Sequence, residues 1–308
     1  MASEDAPTSN YVLINGTVVP RDEARISVFD HGFLYGDGCF ESVIVTNHRV
    51  LLFGAHSDRL RLSLRGLEID FDVSDTTLLK DLNQLLIANG LKDSWVKIVV
   101  TRGVGQYPML DPGRLTPTLV IFAEAVRRLP AADAGQAGVR LRTSSMRRTP
   151  PWSLDPKIKS LNYLNPILAR KEAQRAGGDD ALLLDELGNA AEASASNIWA
   201  LADGRLTRSS SPAALKGVTQ RAVELIAENL GIPWESRALT TFDLYSAQEL
   251  FLTSTAGGII PIIELDGRTT LIPAPGPTTA AVARAYEIML TDPAYSTDVR
   301  DADPEAQT

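Results

Sequence analysis

Two mixed α/β domains, in the α+β two-domain sense, are what the 308-residue sequence predicts. Three observations lead there. The length suits two domains of about 100–200 residues each. Runs rich in β-branched residues and runs with helical spacing intermingle in both halves of the chain. Between the halves, residues 127–137 open with RRLPAADAGQ, a polar, alanine-rich stretch broken by proline and glycine, which is linker composition. The expected layout is a smaller N-terminal α/β domain over 1–126, the linker over 127–137, and a larger C-terminal domain over 138–308.

The elements follow from local pattern. Tyr11 to Ile14 and Thr17 to Val19 flank Asn15-Gly16, a strong hairpin signal. Phe40 to Thr46 is β-branched and reads as a strand after the breakers Gly32, Gly36 and Gly38, and Val50 to Phe53 pairs back across Asn47-His48. Helical spacing at Leu60, Leu64 and Leu67 predicts a helix starting at His56, and Asp75 to Asn89 predicts another, stopped by Gly90. Trp95 to Arg102 and Thr118 to Ala123 are strands around a Gly/Pro loop. In the second half, Val139 to Ser145 is a strand and Leu161 to Arg175 a helix ended by Gly177-Gly178. Ala181 to Leu184, Asn197 to Leu201, Leu206-Thr207 and Glu249 to Thr253 are strands. Val218 to Leu230 is a helix with a stripe at Val223, Ile226, Ala227 and Leu230. Pro277 to Leu290 is a last helix, and 297–308 reads as a disordered acidic tail.

Composition narrows the class. The chain is 44% hydrophobic and 22% charged with a net charge of -8, which disfavours nucleic acid or an anionic membrane as partner. The single cysteine, Cys39, excludes an internal disulfide, and His31, His48 and His56 lack metal-ligand spacing. MASEDAPTSNY has no apolar core for a signal peptide, and no run nears the ~18 apolar residues of a membrane span, so the cytoplasm is the expected compartment.

The chemistry concentrates in DPKIKSLNYLNPILARKEAQRAGGDDALLLDELGNAAEASAS, residues 155–196. Lys159, Tyr163 and Glu192 supply an amine, a phenol and a carboxylate among small residues. Those are the groups needed by a pyridoxal 5'-phosphate (PLP) enzyme: an amine to bond the aldehyde, a carboxylate for the pyridine nitrogen, a phenol for the ring oxygen. On chemistry alone Lys157 would serve as well as Lys159. Gly217-Val218-Thr219 opens a helix, and such an N-terminus is a ready anion site. Lys97 is either a cation for a substrate carboxylate or a plain sheet-face lysine.

KSLNYLNPILARKEA, a following strand, and a glutamate followed by small residues and SN resemble the class IV (fold type IV) PLP-dependent aminotransferases. That group includes branched-chain, D-amino-acid and (R)-amine transaminases and aminodeoxychorismate lyases. The resemblance spans roughly residues 11 to 290 in five blocks. It implies that Lys159, not Lys157, bonds the cofactor, with Tyr163 and Glu192 on its ring. The H-x-x-R-L pattern puts Arg59 on the phosphate, joined by Val218, Thr219 and Thr255. Gln220 stands before Arg221, a one-residue departure from L-x-G-[IV]-T-R. D-x-G-x-x-Y-G-D-G-x-F-E turns Tyr35 and Phe40 to the substrate pocket, where Trp95, Lys97, Thr255 and Ala256 also fall.

The implied architecture places the cofactor in the interdomain cleft of a homodimer. The implied reaction is ping-pong transfer of an amino group from an amino acid, branched-chain L-type first, to a 2-oxo acid such as 2-oxoglutarate. Trp95 and Lys97 stand where branched-chain enzymes usually carry a Tyr-x-Arg pair, which keeps alternatives in view. The loop after Arg102 has Arg114 but no histidine, so the Arg-x-His carboxylate trap of D-amino-acid enzymes is missing, which weakens that alternative. Gly257-Gly258 replaces the usual branched-chain glutamate, as in (R)-amine transaminases. Aminodeoxychorismate lyase shares wording in the N-terminal loop. A relic that no longer binds PLP would have no packing reason to keep Lys159 and the phosphate cup.

Overall fold

The computed structural model describes residues 9–105, 110, 113, 115–126 and 138–302. The expected linker 127–137 and Arg114 lie outside the described residues. Chain contacts gather into two units. The first takes the described residues up to 126 together with Ile158–Asn162 and the stretch from Met289 onward. The second takes the described residues from 138 to Lys157 and then Tyr163–Ile288. The continuous C-terminal domain expected over 138–308 is therefore interrupted once, at Ile158–Asn162, and stops at Ile288, because those five residues and the stretch from Met289 onward pack with the first unit.

In the first unit the chain runs β1 (Tyr11–Ile14), β2 (Thr17–Pro20), α1 (His31–Tyr35), β3 (Gly38–Thr46), β4 (Arg49–Leu51), α2 (Phe53–Gly66), α3 (Asp75–Asn89), β5 (Ser94–Thr101) and β6 (Thr118–Glu124). Among the described residues these form one seven-stranded sheet, ordered from the late strand Ser296–Asp298 through β4, β3, β5, β6 and β1 to β2. The pairings are antiparallel. Alternation sorts β5 cleanly. Val96, Ile98 and Val100 join the core that also holds Leu60, Leu64, Leu82 and Leu86 of α2 and α3, while Trp95, Lys97 and Val99 face the other side.

Three expectations change here. The strand expected to reach Phe53 stops at Leu51, because Leu52 adopts left-handed geometry (φ 47°) and α2 begins at once. The helix α1 is too short for periodicity to reveal. It is set by Asp30, whose carboxylate accepts from Gly32 N at 2.8 Å as the N-cap and also accepts from Thr101 and Thr118. The tail expected to be disordered from 297 instead makes a strand against β4 and a 3-10 turn over Val299–Ala302, with Val299 fully buried.

The second unit runs β7 (Val139–Arg147), α4 (Leu164–Arg175), β8 (Asp180–Leu184), β9 (Ala190–Ala193), β10 (Asn197–Ala202), β11 (Arg205–Ser209), α5 (Val218–Leu230), β12 (Trp234–Arg237), α6 (Thr241–Tyr245), β13 (Glu249–Ser254), β14 (Gly258–Leu265) and α7 (Pro277–Met289). Its sheet orders β12-β11-β10-β13-β14-β7-β8-β9 among the described residues, mixed in direction. β8 is buried at every position, as the apolar run Ala181 to Leu184 that follows Asp180 requires. The helix expected from Leu161 begins at Leu164, with Tyr163 at its N-cap. Lys159 and Tyr163 thus do not share a helical face; the chain at Lys159–Leu161 instead bonds to β3. Among the described residues no helix is long and apolar enough to cross a membrane, and no His/Cys/Asp/Glu group could hold a metal.

Candidate active site

In the first unit Lys159 is mounted on the edge of β3. Phe40 N donates to the Lys159 carbonyl at 2.9 Å and Leu161 N to the Gly38 carbonyl at 3.0 Å, with Cys39 opposite Ser160. Cross-strand partners share a face, so Phe40 and Lys159 meet: the Lys159 Nζ lies 4.7 Å from the Phe40 ring centroid. Lys97 reaches the same ring at 4.2 Å. Gly38 allows this approach, since a Cβ there would sit 2.6 Å from the Val100 carbonyl oxygen and 2.9 Å from Leu161 Cδ1. The Lys159 amide donates to Ser63 Oγ of α2 at 3.2 Å. Lys157, in contrast, is half-exposed and makes a local pair with Asp155 at 3.2 Å.

The opposite face of β3 carries a buried ionic cluster. Glu41, 1% exposed, accepts from Arg59 Nε at 2.6 Å and Nη2 at 2.8 Å. His56 Nδ1 lies 2.8 Å from its Oε2. Burial pushes the Glu41 carboxyl up, but the bonds and charge of Arg59, with His56, overcome this and bring it to about 2. Burial lowers His56 below its ordinary 6.5, so the ring is neutral and Nδ1–H is the donor to Glu41. Burial also pushes the Cys39 thiol up to about 12. The expected phosphate residue Arg59 is thus aligned by a bidentate carboxylate, a partner that sequence reasoning missed. Tyr35 ends α1, its ring edge-on to His31 at 5.2 Å, and Trp95 packs edge-on to Phe122 at 6.0 Å.

In the second unit Glu192 is 6% exposed on β9. Its Oε1 accepts from Arg148 Nε at 2.6 Å, and its Oε2 from Leu215 N at 3.0 Å and Asn197 Nδ2 at 3.4 Å. Asn197 Nδ2 also donates to the Leu215 carbonyl at 2.8 Å. Asn197 therefore ties the carboxylate to the segment entering α5. Neither Arg148 nor Asn197 carried a role in the sequence reading. The SN after the small residues was noted, but nothing local marks its partner 18 residues on.

The start of α5 suits an anion. Its N-cap, Gly217, has no side chain to occupy the first amides, and a Cβ there would strike the Asn197 side chain. Val218 and Thr219, the expected cup residues, are its first two helical positions and are buried. Thr253 stands opposite Asn197 in register, so both side chains share a sheet face, and its buried Oγ1 has no partner among the described residues. An uncapped 13-residue helix, an orphaned hydroxyl and a buried carboxylate with one donor on Oε1 and two on Oε2, which leaves acceptor capacity, fit a phosphate-bearing pyridine such as PLP. Thr255 and Ala256 form the β13–β14 turn, in which Gly257 N donates to Ser254 Oγ at 3.1 Å. Tyr163, at the α4 N-cap, is half-buried.

Among the described residues the fold has two sheets and seven α-helices, with a lysine on a strand edge in the first unit and a carboxylate tied to an uncapped helix in the second. The chain belongs to the class IV aminotransferases: the family model Amino-transferase class IV matches residues 38–265. It is a PLP-dependent aminotransferase. A Methanocaldococcus jannaschii protein with the provisional name branched-chain-amino-acid aminotransferase is 41% identical over 259 residues, 83% of this chain and 88% of the relative. A D-alanine aminotransferase of Bacillus licheniformis is 30% identical over 277 residues, 90% of this chain and 95% of its own. The branched-chain aminotransferase of the archaeon Thermoproteus uzoniensis, solved with norvaline, superposes with a TM-score of 0.85 at 30% identity, covering 94% of this chain and 99% of that one.

Proposed function

We propose that the protein moves an amino group from a branched-chain L-amino acid to a 2-oxo acid such as 2-oxoglutarate, in two half-reactions on PLP. The observation that carries this reading is the pair of amines on Phe40, one at the strand edge and one on the sheet face it shares with Trp95, Val99 and Phe122. The bound cofactor would supply an aldehyde carbon for the amine and a ring that accepts electrons from the substrate Cα. Lys159 would hold that carbon through its Nζ in the resting protein and, once the substrate amine has displaced it, the freed amine would take the Cα proton and return it. Glu192 would hold the pyridine nitrogen and Tyr163 the ring oxygen. Arg59, the α5 amides of Val218 and Thr219, and Thr255 would hold the phosphate.

On the substrate side Lys97 receives the carboxylate, while Phe40, Trp95, Tyr35 and the Thr255-Ala256 turn shape the pocket for an apolar side chain. Lys97 suits the role because it has no ion-pair partner among the described residues, and a docked carboxylate would offset the burial that lowers its proton affinity. A homodimer follows from the same reading. The exposed apolar run Val28, Phe29 and Phe33 beside Tyr35 supports a partner surface there. D-amino-acid transfer is the second reading, favoured by the Bacillus licheniformis relative.

A half-reaction separates the readings. The purified protein is mixed separately with L-leucine, D-alanine and (R)-1-phenylethylamine, and conversion of the bound cofactor to its amine form is followed by absorbance. Fast conversion with L-leucine alone is the expected result. Conversion with D-alanine or the (R)-amine alone would overturn the branched-chain assignment.

A further inference from the structure

We propose that Ser63 is a positioning residue for the cofactor lysine: its hydroxyl closes a ring of bonds that sets where Lys159 stands relative to Arg59. This rests on the assignment of Lys159 and Arg59 to the cofactor. Every residue of the ring lies in the first unit. The ring starts on two neighbouring residues of β3. Phe40 N donates to the Lys159 carbonyl at 2.9 Å. The next residue, Glu41, accepts from Arg59 Nε at 2.6 Å and Nη2 at 2.8 Å. Arg59 and Ser63 stand four residues apart on α2, about 6 Å along its axis and on one side of it. Ser63 Oγ accepts from the Lys159 amide at 3.2 Å, and the circuit is closed.

A serine in a helix commonly bonds back to its own backbone. Ser57 does so on this same helix, donating to the Gly54 carbonyl at 3.0 Å. Ser63 is 1% exposed, among the core residues Leu60 and Leu64, and its oxygen serves a different segment. The need is plain from the backbone. The Lys159 carbonyl is bonded to β3, and its N–H requires an acceptor of its own. Mid-helix carbonyls are already bonded within α2, so a side-chain oxygen is what the helix can offer. A second contact keeps the two in register: a Cβ on Gly66 would sit 3.0 Å from Ile158 Cδ1. The Lys159 charge also reaches His56, where it is one of the influences that lower the ring's proton affinity. The lysine thus stands within electrostatic range of the cluster that aligns Arg59.

The consequence is for reach. To bond PLP, the Lys159 nitrogen replaces the aldehyde oxygen, which leaves as water. That bond forms at one side of a molecule whose phosphate Arg59 holds at another. A lysine backbone fixed at a set distance from Arg59 meets the aldehyde carbon without being ordered first. The second contact then adds to the first at little entropic cost. Without Ser63 Oγ the lysine segment loses its tie to α2, and each bonding event must order it again. Contacts to the phosphate and the ring do not depend on that tie.

The test compares two ligands of the full-length protein stripped of cofactor: PLP, and 4-deoxypyridoxine 5'-phosphate, which has the same ring and phosphate but no aldehyde. Equilibrium dialysis gives both affinities for the wild type, Ser63→Ala and Ser63→Thr, each checked for folding by its melting curve. Ser63→Ala is expected to weaken PLP about tenfold and the analogue by less than about twofold. Ser63→Thr keeps a hydroxyl at the site and is expected to hold the ratio of the two affinities within about twofold of the wild type. Equal weakening of both ligands in Ser63→Ala, or no weakening of either, would overturn the proposal. So would a ratio in Ser63→Thr as low as that in Ser63→Ala. Failure of the underlying cofactor assignment shows separately. Lys159→Ala is expected to abolish the preference for PLP over the analogue, and a preference that survives it would overturn the lysine assignment and the role of Ser63 with it.

Discussion

Replacing Lys159 with alanine is expected to remove the visible band of the loaded protein and to cut turnover by about ten-thousand-fold. Lys159 is assigned both the covalent bond to the cofactor and the proton transfer at Cα, so no other group retains half of its work. Lys157→Ala is expected to leave band and turnover near wild type, since Lys157 makes only a half-exposed pair with Asp155, a type worth about 0–1 kcal/mol. Absorbance of the two purified variants and their initial rates check this. Loss of the band in Lys157→Ala instead would move the assignment two residues upstream.

The second large effect is on the fold. Glu41→Gln is expected to lower unfolding stability by about 3–5 kcal/mol, the cost of stranding one member of a buried ion pair. Glu41 is 1% exposed and meets two nitrogens of Arg59 and one of His56. Urea unfolding measures the change, and a loss under about 1 kcal/mol would show that the cluster is not held as described. The pH dependence has a definite sign. Glu41 is lowered from 4.5 to about 2, so its contribution is complete above 4.5 and fades as pH falls through about 2. His56 is kept neutral against an ordinary 6.5, so the unfolded chain binds a proton that the folded chain refuses, and stability declines as pH falls below 6.5. Glu41→Gln should also bind PLP more weakly, because Arg59 loses the carboxylate that fixes its plane.

Much of this was legible in the sequence where the signal is local. The β5 alternation that sends Val96, Ile98 and Val100 into the core sends Trp95 and Lys97 to the other face, as strand period alone requires. Gly217 before Val218-Thr219 marked the uncapped helix. Non-local pairing was not legible. Nothing in KSLNY says that Lys159 will be an extended residue beside Phe40, 119 positions earlier, instead of the first turn of a helix. Nor does F-E-S announce that Glu41 will meet α2, or RRTPP that Arg148 will meet Glu192, 44 positions on. The short strand Ser296–Asp298 was hidden for the same reason: it is a strand because β4 is there to pair with it.

The most direct measurement is covalent mapping. The purified, PLP-loaded wild type is reduced with borohydride, which fixes the cofactor to whichever amine holds it, and the modified peptide is sequenced by mass spectrometry. The cofactor mass on Lys159 is the expected result. The same mass on Lys157 or Lys97, or none on any lysine, would contradict the site proposed for this enzyme.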